Sequence, residues 1–255
     1  MSLLAAEALS VSIAGQSVCR TLDFSVGAGE CWGVLGANGT GKTTLLHTLA
    51  GLRSPDSGRI LLDGTSLTHL GRRAIARRLG LMPQDNHDPF PATVLETALI
   101  GRHPWLGAWQ WEGETDTTAA EAALDEVGLA ELADRPVSTL SGGERRRLAL
   151  ATVLTQAPAV YVLDEPSNHL DLHHQVNLLA LITRRAQETK GAVVMSLHDV
   201  NLADRFCDHL LLLFGDGQVC FGATADVLDE TTLARLYGHP IRILSDGDRR
   251  AFLPV

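Results

Sequence analysis

The residues Gly36-Ala37-Asn38-Gly39-Thr40-Gly41-Lys42-Thr43 fit the pattern G-x-x-x-x-G-K-[ST]. Glu30 to Leu35 (ECWGVL), just before it, is a short apolar run that ends at Gly36, as a buried strand does. Thr43 to Leu49 continues as an apolar helix. This strand–loop–helix joint is the context the pattern requires. Glycines let the backbone turn tightly with N–H groups facing inward, and with the helix N-terminus those donors cradle phosphates. Lys42 is expected to reach the β- and γ-phosphates and the Thr43 hydroxyl to ligate Mg²⁺. Gly36, Asn38, Gly39, Gly41 and Thr44 complete the expected nucleotide-binding set. By itself the loop implies a nucleoside triphosphate and nothing narrower.

The remaining pattern extends the α/β reading. Leu9 to Ile13 and Leu22 to Val26 alternate like half-buried strands around a turn at Ala14-Gly15-Gln16-Ser17. With Arg59 to Leu62 and the turn at Asp63-Gly64 they suggest a small antiparallel sheet. Leu79 to Met82 is a short strand stopped by Pro83, and Asp85 to Trp111 looks irregular around one helix. Glu114 to Leu132 reads as helix. Val160 to Leu163, Ala192 to Ser196 and His209 to Phe214 are continuous apolar runs, separated by helical stretches at Leu172 to Glu188 and Asn201 to Cys207. Strands buried on both faces and alternating with helices imply a parallel core.

The first of these core strands, Val160 to Leu163, ends in Asp164-Glu165. An acid at the C-terminal end of such a strand faces the crevice where open α/β sheets bind ligands. Asp164 is expected to hold Mg²⁺ and Glu165 to orient the attacking water. Alone, the pair could equally cap a helix. The net charge of −9 disfavours a nucleic-acid partner, which needs a basic surface. The scattered cysteines (Cys19, Cys31, Cys207, Cys220) form no C-x-x-C pair and read as small buried residues. No apolar stretch is long enough to cross a bilayer, and the N-terminus lacks the basic region of a signal peptide.

Leu140-Ser141-Gly142-Gly143-Glu144 separates this chain from other phosphate-loop proteins. It resembles the L-S-G-G-[EQ] signature of the ATP-binding cassette family. The resemblance implies an α/β fold: a P-loop NTPase (RecA-like) core with a mostly parallel sheet, a small antiparallel β subdomain and an α-helical subdomain. It implies one cassette over 1–255, with 1–87 and 152–240 as core, 88–151 as helical subdomain and 241–255 as a short tail. Ser141, Gly142 and Gly143 would close on the ATP held by a second copy of the chain, in a head-to-tail homodimer. Gln84 resembles the Q-loop residue that senses Mg²⁺ and the membrane partner, so Thr43, Gln84 and Asp164 form the implied metal set. Ser167 to Asp171 resembles the D-loop, placing Asp171 at the nucleotide across the dimer. His198 resembles the switch histidine that contacts the γ-phosphate and holds Glu165.

Three departures stand out. Ile13 occupies the position where the family often has an aromatic residue stacked on adenine; such stacking is worth about 1–3 kcal/mol. Ala37 replaces a common Pro. Arg146 stands where Gln is common, with no evident consequence.

Stretches such as Gly101-Arg102-His103-Pro104 and His198 to Ala203 resemble importer ATPases for iron siderophores, haem and cobalamin. That implies an ATP-hydrolysing subunit on the cytoplasmic face of the membrane, coupled to polytopic permease subunits and indirectly to a substrate-binding protein. A soluble assembly-machinery ATPase is the competing reading. His169, His173 and His174 lack the further ligands of a metal site. Arg72, Arg73, Arg77 and Arg78 read as the solvated face of one amphipathic helix. Trp105, Trp109 and Trp111 either pack locally or help form a docking groove for the membrane subunit.

Overall fold

The structure, a computed structural model, describes residues 2–84, 91–107, 109–247 and 249–255. The chain begins with β1 (Ser2–Ile13) and β2 (Gln16–Gly27), an antiparallel hairpin. Ala14 and Gly15 both have positive φ, 50° and 83°, which matches a two-residue turn to the twist of the strands. Then come β3 (Cys31–Gly36), α1 (Lys42–Leu49), β4 (Ser57–Leu62), β5 (Thr65–Ser66), α2 (Arg72–Ala76) and β6 (Leu79–Met82). Next are α3 (Val94–Leu99), α4 (Glu114–Glu126), α5 (Gly142–Gln156), β7 (Val160–Leu163), α6 (Leu172–Thr189) and β8 (Ala192–Ser196). The chain closes with α7 (Val200–Phe206), β9 (His209–Leu213), β10 (Val219–Ala223), α8 (Thr224–Val227), α9 (Glu230–Tyr237), β11 (Ile241–Asp246) and β12 (Arg249–Pro254).

The central sheet has the strand order β10-β9-β3-β8-β7-β6. Every neighbouring pair from β9 to β6 is parallel, and only the edge strand β10 runs antiparallel to β9. A second, antiparallel sheet has the order β2-β1-β4-β5. Strand alternation assigns the two sides of the core. Val160, Val162, Val194, Leu211 and Leu213 pack toward the antiparallel sheet and α1. Tyr161, Leu163, Val193, Met195, Leu210 and Leu212 pack toward the helices on the other side. The topology places the ends of β3, β7 and β8 side by side, so the phosphate loop, Asp164-Glu165 and His198 leave one edge of the sheet together.

The expected mixed fold is present, with differences in detail. The helix from Glu114 ends at Glu126, because Gly128 adopts φ +67° and breaks the spiral before Leu132. Helix α2 stops at Ala76, so Arg77 and Arg78 do not share its face. Arg78 pairs with Asp63, and Arg77 donates to the Pro104 carbonyl at 2.8 Å and lies 5.4 Å from the Trp105 ring. Both remain exposed to solvent, as expected, but off the one helix that was expected to carry them. Of the irregular stretch, 85–90 and Ala108 lie outside the described residues, and α3 is the helix within it. Cys19, Cys31 and Cys207 are buried and Cys220 half-buried, all free thiols. No helix among the described residues is long and apolar enough to cross a membrane.

Candidate functional site

The phosphate loop depends on close approach. A Cβ on Gly36 would lie 2.6 Å from Thr40 Oγ1 and 2.8 Å from the Leu213 carbonyl oxygen, so a side chain would block the turn off β3. Gly41 begins α1 with φ +97°, and a Cβ there would meet Val18 at 2.4 Å. The Lys42 ammonium is folded into the loop, donating to the carbonyls of Gly36 (2.8 Å) and Ala37 (3.2 Å). Burial pushes its pKa below the usual lysine value, while Glu165 and Asp164 act in the opposite sense.

Asp164 is wholly buried at the end of β7. Ser196 Oγ, at the end of β8, donates to Asp164 Oδ1 at 2.6 Å and accepts from the Glu165 N–H at 2.8 Å. Asp164 Oδ2 is buried with no hydrogen-bond partner among the described residues. A buried carboxylate oxygen left open is expected where a cation is to be bound.

Glu165 is the centre of the arrangement. Its backbone sits at φ +52°, uncommon for a residue with a side chain. His198 Nε2 lies 2.5 Å from Oε1, where it donates when that nitrogen carries the proton. Gln84 Nε2 donates to Oε2 at 3.0 Å, and Asn168 Nδ2 donates to the same oxygen. Gln84 Oε1 in turn accepts from Thr43 Oγ1 at 3.4 Å. Thr43, Gln84, Glu165 and His198, from four separate segments, thus form one connected group beside the phosphate loop.

Ser141 caps α5 in a reciprocal box with Glu144: its N–H donates to Glu144 Oε2 at 2.7 Å and its Oγ accepts from the Glu144 N–H at 3.3 Å. The Ser141 N–H first, and then the Ser141 hydroxyl donating to the same oxygen at 2.8 Å, hold the Glu144 carboxyl below the usual carboxylate range. A Cβ on Gly143 would lie 3.3 Å from the Leu170 side chain and 3.5 Å from the His169 carbonyl, so the signature abuts the D-loop stretch of its own chain. Among the described residues no hydrogen bond links Ser141, Gly142 or Gly143 to the phosphate loop.

Asp171 is not brought to the connected group. It caps α6, accepting from the His174 N–H at 2.9 Å, and its oxygens lie 2.9 and 3.0 Å from His174 Nδ1. His173 bonds Asn177, and no cluster of potential metal ligands occurs among the described residues. Ile13 is 38% exposed at the end of β1, on a hairpin tied by Gln16 to Gly215. Trp105 packs locally, its indole donating to the Gln156 carbonyl at 2.9 Å, whereas Trp109 and Trp111 are exposed.

Three structural roles were missed. Ser196 and Asn168 lie inside stretches that carried other assignments, and their alignment with Glu165 depends on chain geometry. Arg146, which had no evident consequence, is 5% exposed and donates to carbonyls of Pro83, Gln84, Asp164 and Glu165.

A family-wide sequence profile described as ABC transporter matches residues 19–168. The chain is 36% identical over 244 residues to the ferric enterobactin transport ATP-binding protein FepC of Escherichia coli K12, covering 95% of this chain and 90% of that one. It is 41% identical over 231 residues to the hemin import ATP-binding protein HmuV of Myxococcus xanthus, covering 88% and 85%. A solved metal-chelate type ABC transporter, in an inward-facing conformation, superposes with a TM-score of 0.87 at 28% identity, covering 100% of this chain and 98% of that one. A phosphate loop, a signature helix and an acidic strand end in this order, with relatives that align nearly end to end, place the chain in the ABC transporter family as one of its ATP-hydrolysing cassettes.

Proposed function

We propose that the chain is the ATPase subunit of an importer for an iron-siderophore, haem or cobalamin-type substrate, working as a head-to-tail pair of cassettes. The observation that carries it is the Glu165 carboxylate, held by Gln84, Asn168 and His198 next to a phosphate loop. The ferric enterobactin and hemin relatives support the substrate class.

On binding ATP, the N–H groups of Gly36 to Thr44 and the start of α1 surround the β- and γ-phosphates. Lys42 exchanges the Gly36 and Ala37 carbonyls for phosphate oxygens. Thr43, Gln84 and Asp164 would hold Mg²⁺, and the open Asp164 Oδ2 and the Thr43–Gln84 contact fit that group. Its charge would then offset that of the phosphates. Glu165 accepts a hydrogen bond from the water and aims it at the γ-phosphorus. His198 keeps Glu165 from swinging away and offers its ring to the γ-phosphate. Ser141, Gly142 and Gly143, remote from their own phosphate loop by hydrogen bonding, serve the nucleotide of the second copy. Asp171 approaches that nucleotide only if its cap on α6 opens.

Coupling to polytopic permease subunits would place the chain at the cytoplasmic face of the membrane, with a substrate-binding protein acting indirectly. A groove of about 930 Å³ supports a docked partner; Leu52, Arg72, Ile75, Ile100 and Pro104 help line it, and Leu52 and Ile100 are exposed. In this reading 88–151 is the helical arm that carries the signature to the second copy, and 1–87 with 152–240 is the core.

Glu165→Gln tests the reading. It should keep ATP binding and lose turnover by 10²-fold or more, about 3 kcal/mol of barrier, and with ATP it should accumulate as a dimer in light scattering. Wild-type turnover would overturn the role of Glu165; a monomer at every ATP concentration would overturn the paired cassette.

A further inference from the structure

Arg146 lies one turn into α5, just beyond the signature, and its guanidinium is buried. Nη1 donates to the carbonyl oxygens of Pro83 and Gln84, both at 2.8 Å. Nη2 donates to the carbonyls of Asp164 and of Glu165, the latter at 2.6 Å. One rigid, planar group therefore spans the signature helix, the loop that presents Gln84 and the strand end that presents Glu165. A fork of fixed donors can do this; a single amide nitrogen can serve one pair of carbonyls but not both.

The bonds fall on a strained point. Glu165 has φ +52°, and a backbone in that region persists only where its surroundings over-determine it. Its N–H is held by Ser196, and its carbonyl by Arg146 together with the Asn168 N–H at 3.1 Å. Ser196 belongs to the core sheet. Arg146 belongs to the helix that carries Ser141 to Gly143.

We propose that Arg146 is a positioning residue for hydrolysis, fixing the Gln84 and Glu165 backbones to the signature helix so that displacement of that helix displaces the water-orienting carboxylate. This rests on the role proposed for Glu165. The four Arg146 bonds described above all go to backbone carbonyls, so losing them acts on alignment of the carboxylate, and alignment errors of about 1 Å cost on the order of 100-fold in rate.

The test compares Arg146→Gln, Arg146→Lys and Arg146→Ala in the full chain. Each is measured by thermal unfolding, by equilibrium binding of ATP and by steady-state ATPase activity. Arg146→Gln is expected to fold, to bind ATP within about threefold of wild type, and to lose about 10- to 100-fold in kcat with KM little changed. Arg146→Lys, which keeps a cation with rotatable donors, should recover part of kcat. If Arg146→Ala fails to fold, the Gln and Lys variants decide the matter. Wild-type kcat in both overturns the proposal. So does a fall in kcat matched by a proportionate loss of ATP affinity and melting temperature, which is the signature of a merely structural role. Glu165→Gln, assayed in parallel, separates the two ideas. Full activity there removes the proposed role of Glu165 itself; an inactive Glu165→Gln beside fully active Arg146 variants removes only the positioning role.

Discussion

Ser196→Ala removes a hydroxyl that makes two buried bonds at once. It donates to Asp164 Oδ1 at 2.6 Å and accepts from the Glu165 N–H at 2.8 Å, and Ser196 itself is wholly buried. Alanine fits the space, so the change is almost purely one of hydrogen bonding. A buried N–H left without an acceptor costs about 1–3 kcal/mol, and a hydrogen bond to a charged group is worth about 1.5–3 kcal/mol. The expected loss is therefore about 3–6 kcal/mol, a large share of the roughly 5–15 kcal/mol that holds a domain folded. For a chain of this size that corresponds to a melting temperature lower by about 6–24 °C. Urea unfolding of wild type and variant gives the difference directly. A cycle with Asp164→Asn should show coupling of more than about 1 kcal/mol, because the two side chains touch. A loss under about 1 kcal/mol, or additive single mutants, would refute the two-bond arrangement.

Gly41→Ala should abolish ATP binding or folding, since a Cβ at φ +97° would lie 2.4 Å from Val18; retention of wild-type affinity in a fluorescence titration would contradict the loop geometry. Asn168→Ala should lower kcat roughly tenfold with ATP affinity unchanged, because it frees Glu165 Oε2 on one side; steady-state kinetics reads it, and unchanged kcat argues against the contact. Ile13→Tyr should tighten ATP binding by roughly tenfold or more through stacking on adenine, and equal affinity would place adenine elsewhere. The carboxyls of Glu96, Asp116, Glu144 and Asp171 are each held below the usual range, first by a backbone N–H at a helix N-terminus. A depressed folded-state pKa gives stabilisation that is present above the unfolded values of 3.8 and 4.5 and lost as pH falls through the lower folded ones. Melting temperature should therefore drop steadily below about pH 4.5, and a flat profile to pH 3 would show these caps contribute nothing.

The sequence was most readable where chemistry demands a residue type at a fixed spacing. Gly36 and Gly41 announce themselves because only glycine avoids Leu213 and Val18, and Asp164-Glu165 because they end a strand of apolar residues. The parallel core was readable for a similar reason: Val160 to Leu163 and Ala192 to Ser196 are buried on both faces and so lack polar alternation. Boundaries were less readable. The helix from Glu114 looked continuous through Leu132 because Ala, Glu and Leu favour helix throughout, yet one glycine at φ +67° ends it. The arginines near Arg72 are solvated as their charge implies, but charge alone does not show that the helix stops at Ala76, that Arg78 has Asp63 to pair with or that Arg77 has a carbonyl on a distant loop.

Much of the unread part of the site acts on backbone. Ser196 holds the Glu165 N–H besides the Asp164 carboxylate, Arg146 holds the carbonyls of both residues, and a backbone carbonyl or N–H has no letter in the sequence. Asn168 does act on a side chain, but the turn that returns it to Glu165 starts from φ +52° at Glu165, which residue identity does not foretell. The same turn explains why Asp171 is absent from the connected group. It begins α6 as a cap, while Asn168, nearer the strand, points back to the carboxylate. Within one chain the D-loop stretch is thus divided between holding Glu165 and starting a helix, and the signature glycine Gly143 packs on its middle at His169 and Leu170. The signature helix is thus bonded to the Glu165 backbone through Arg146, and at Gly143 it abuts the stretch whose Asn168 holds the Glu165 side chain.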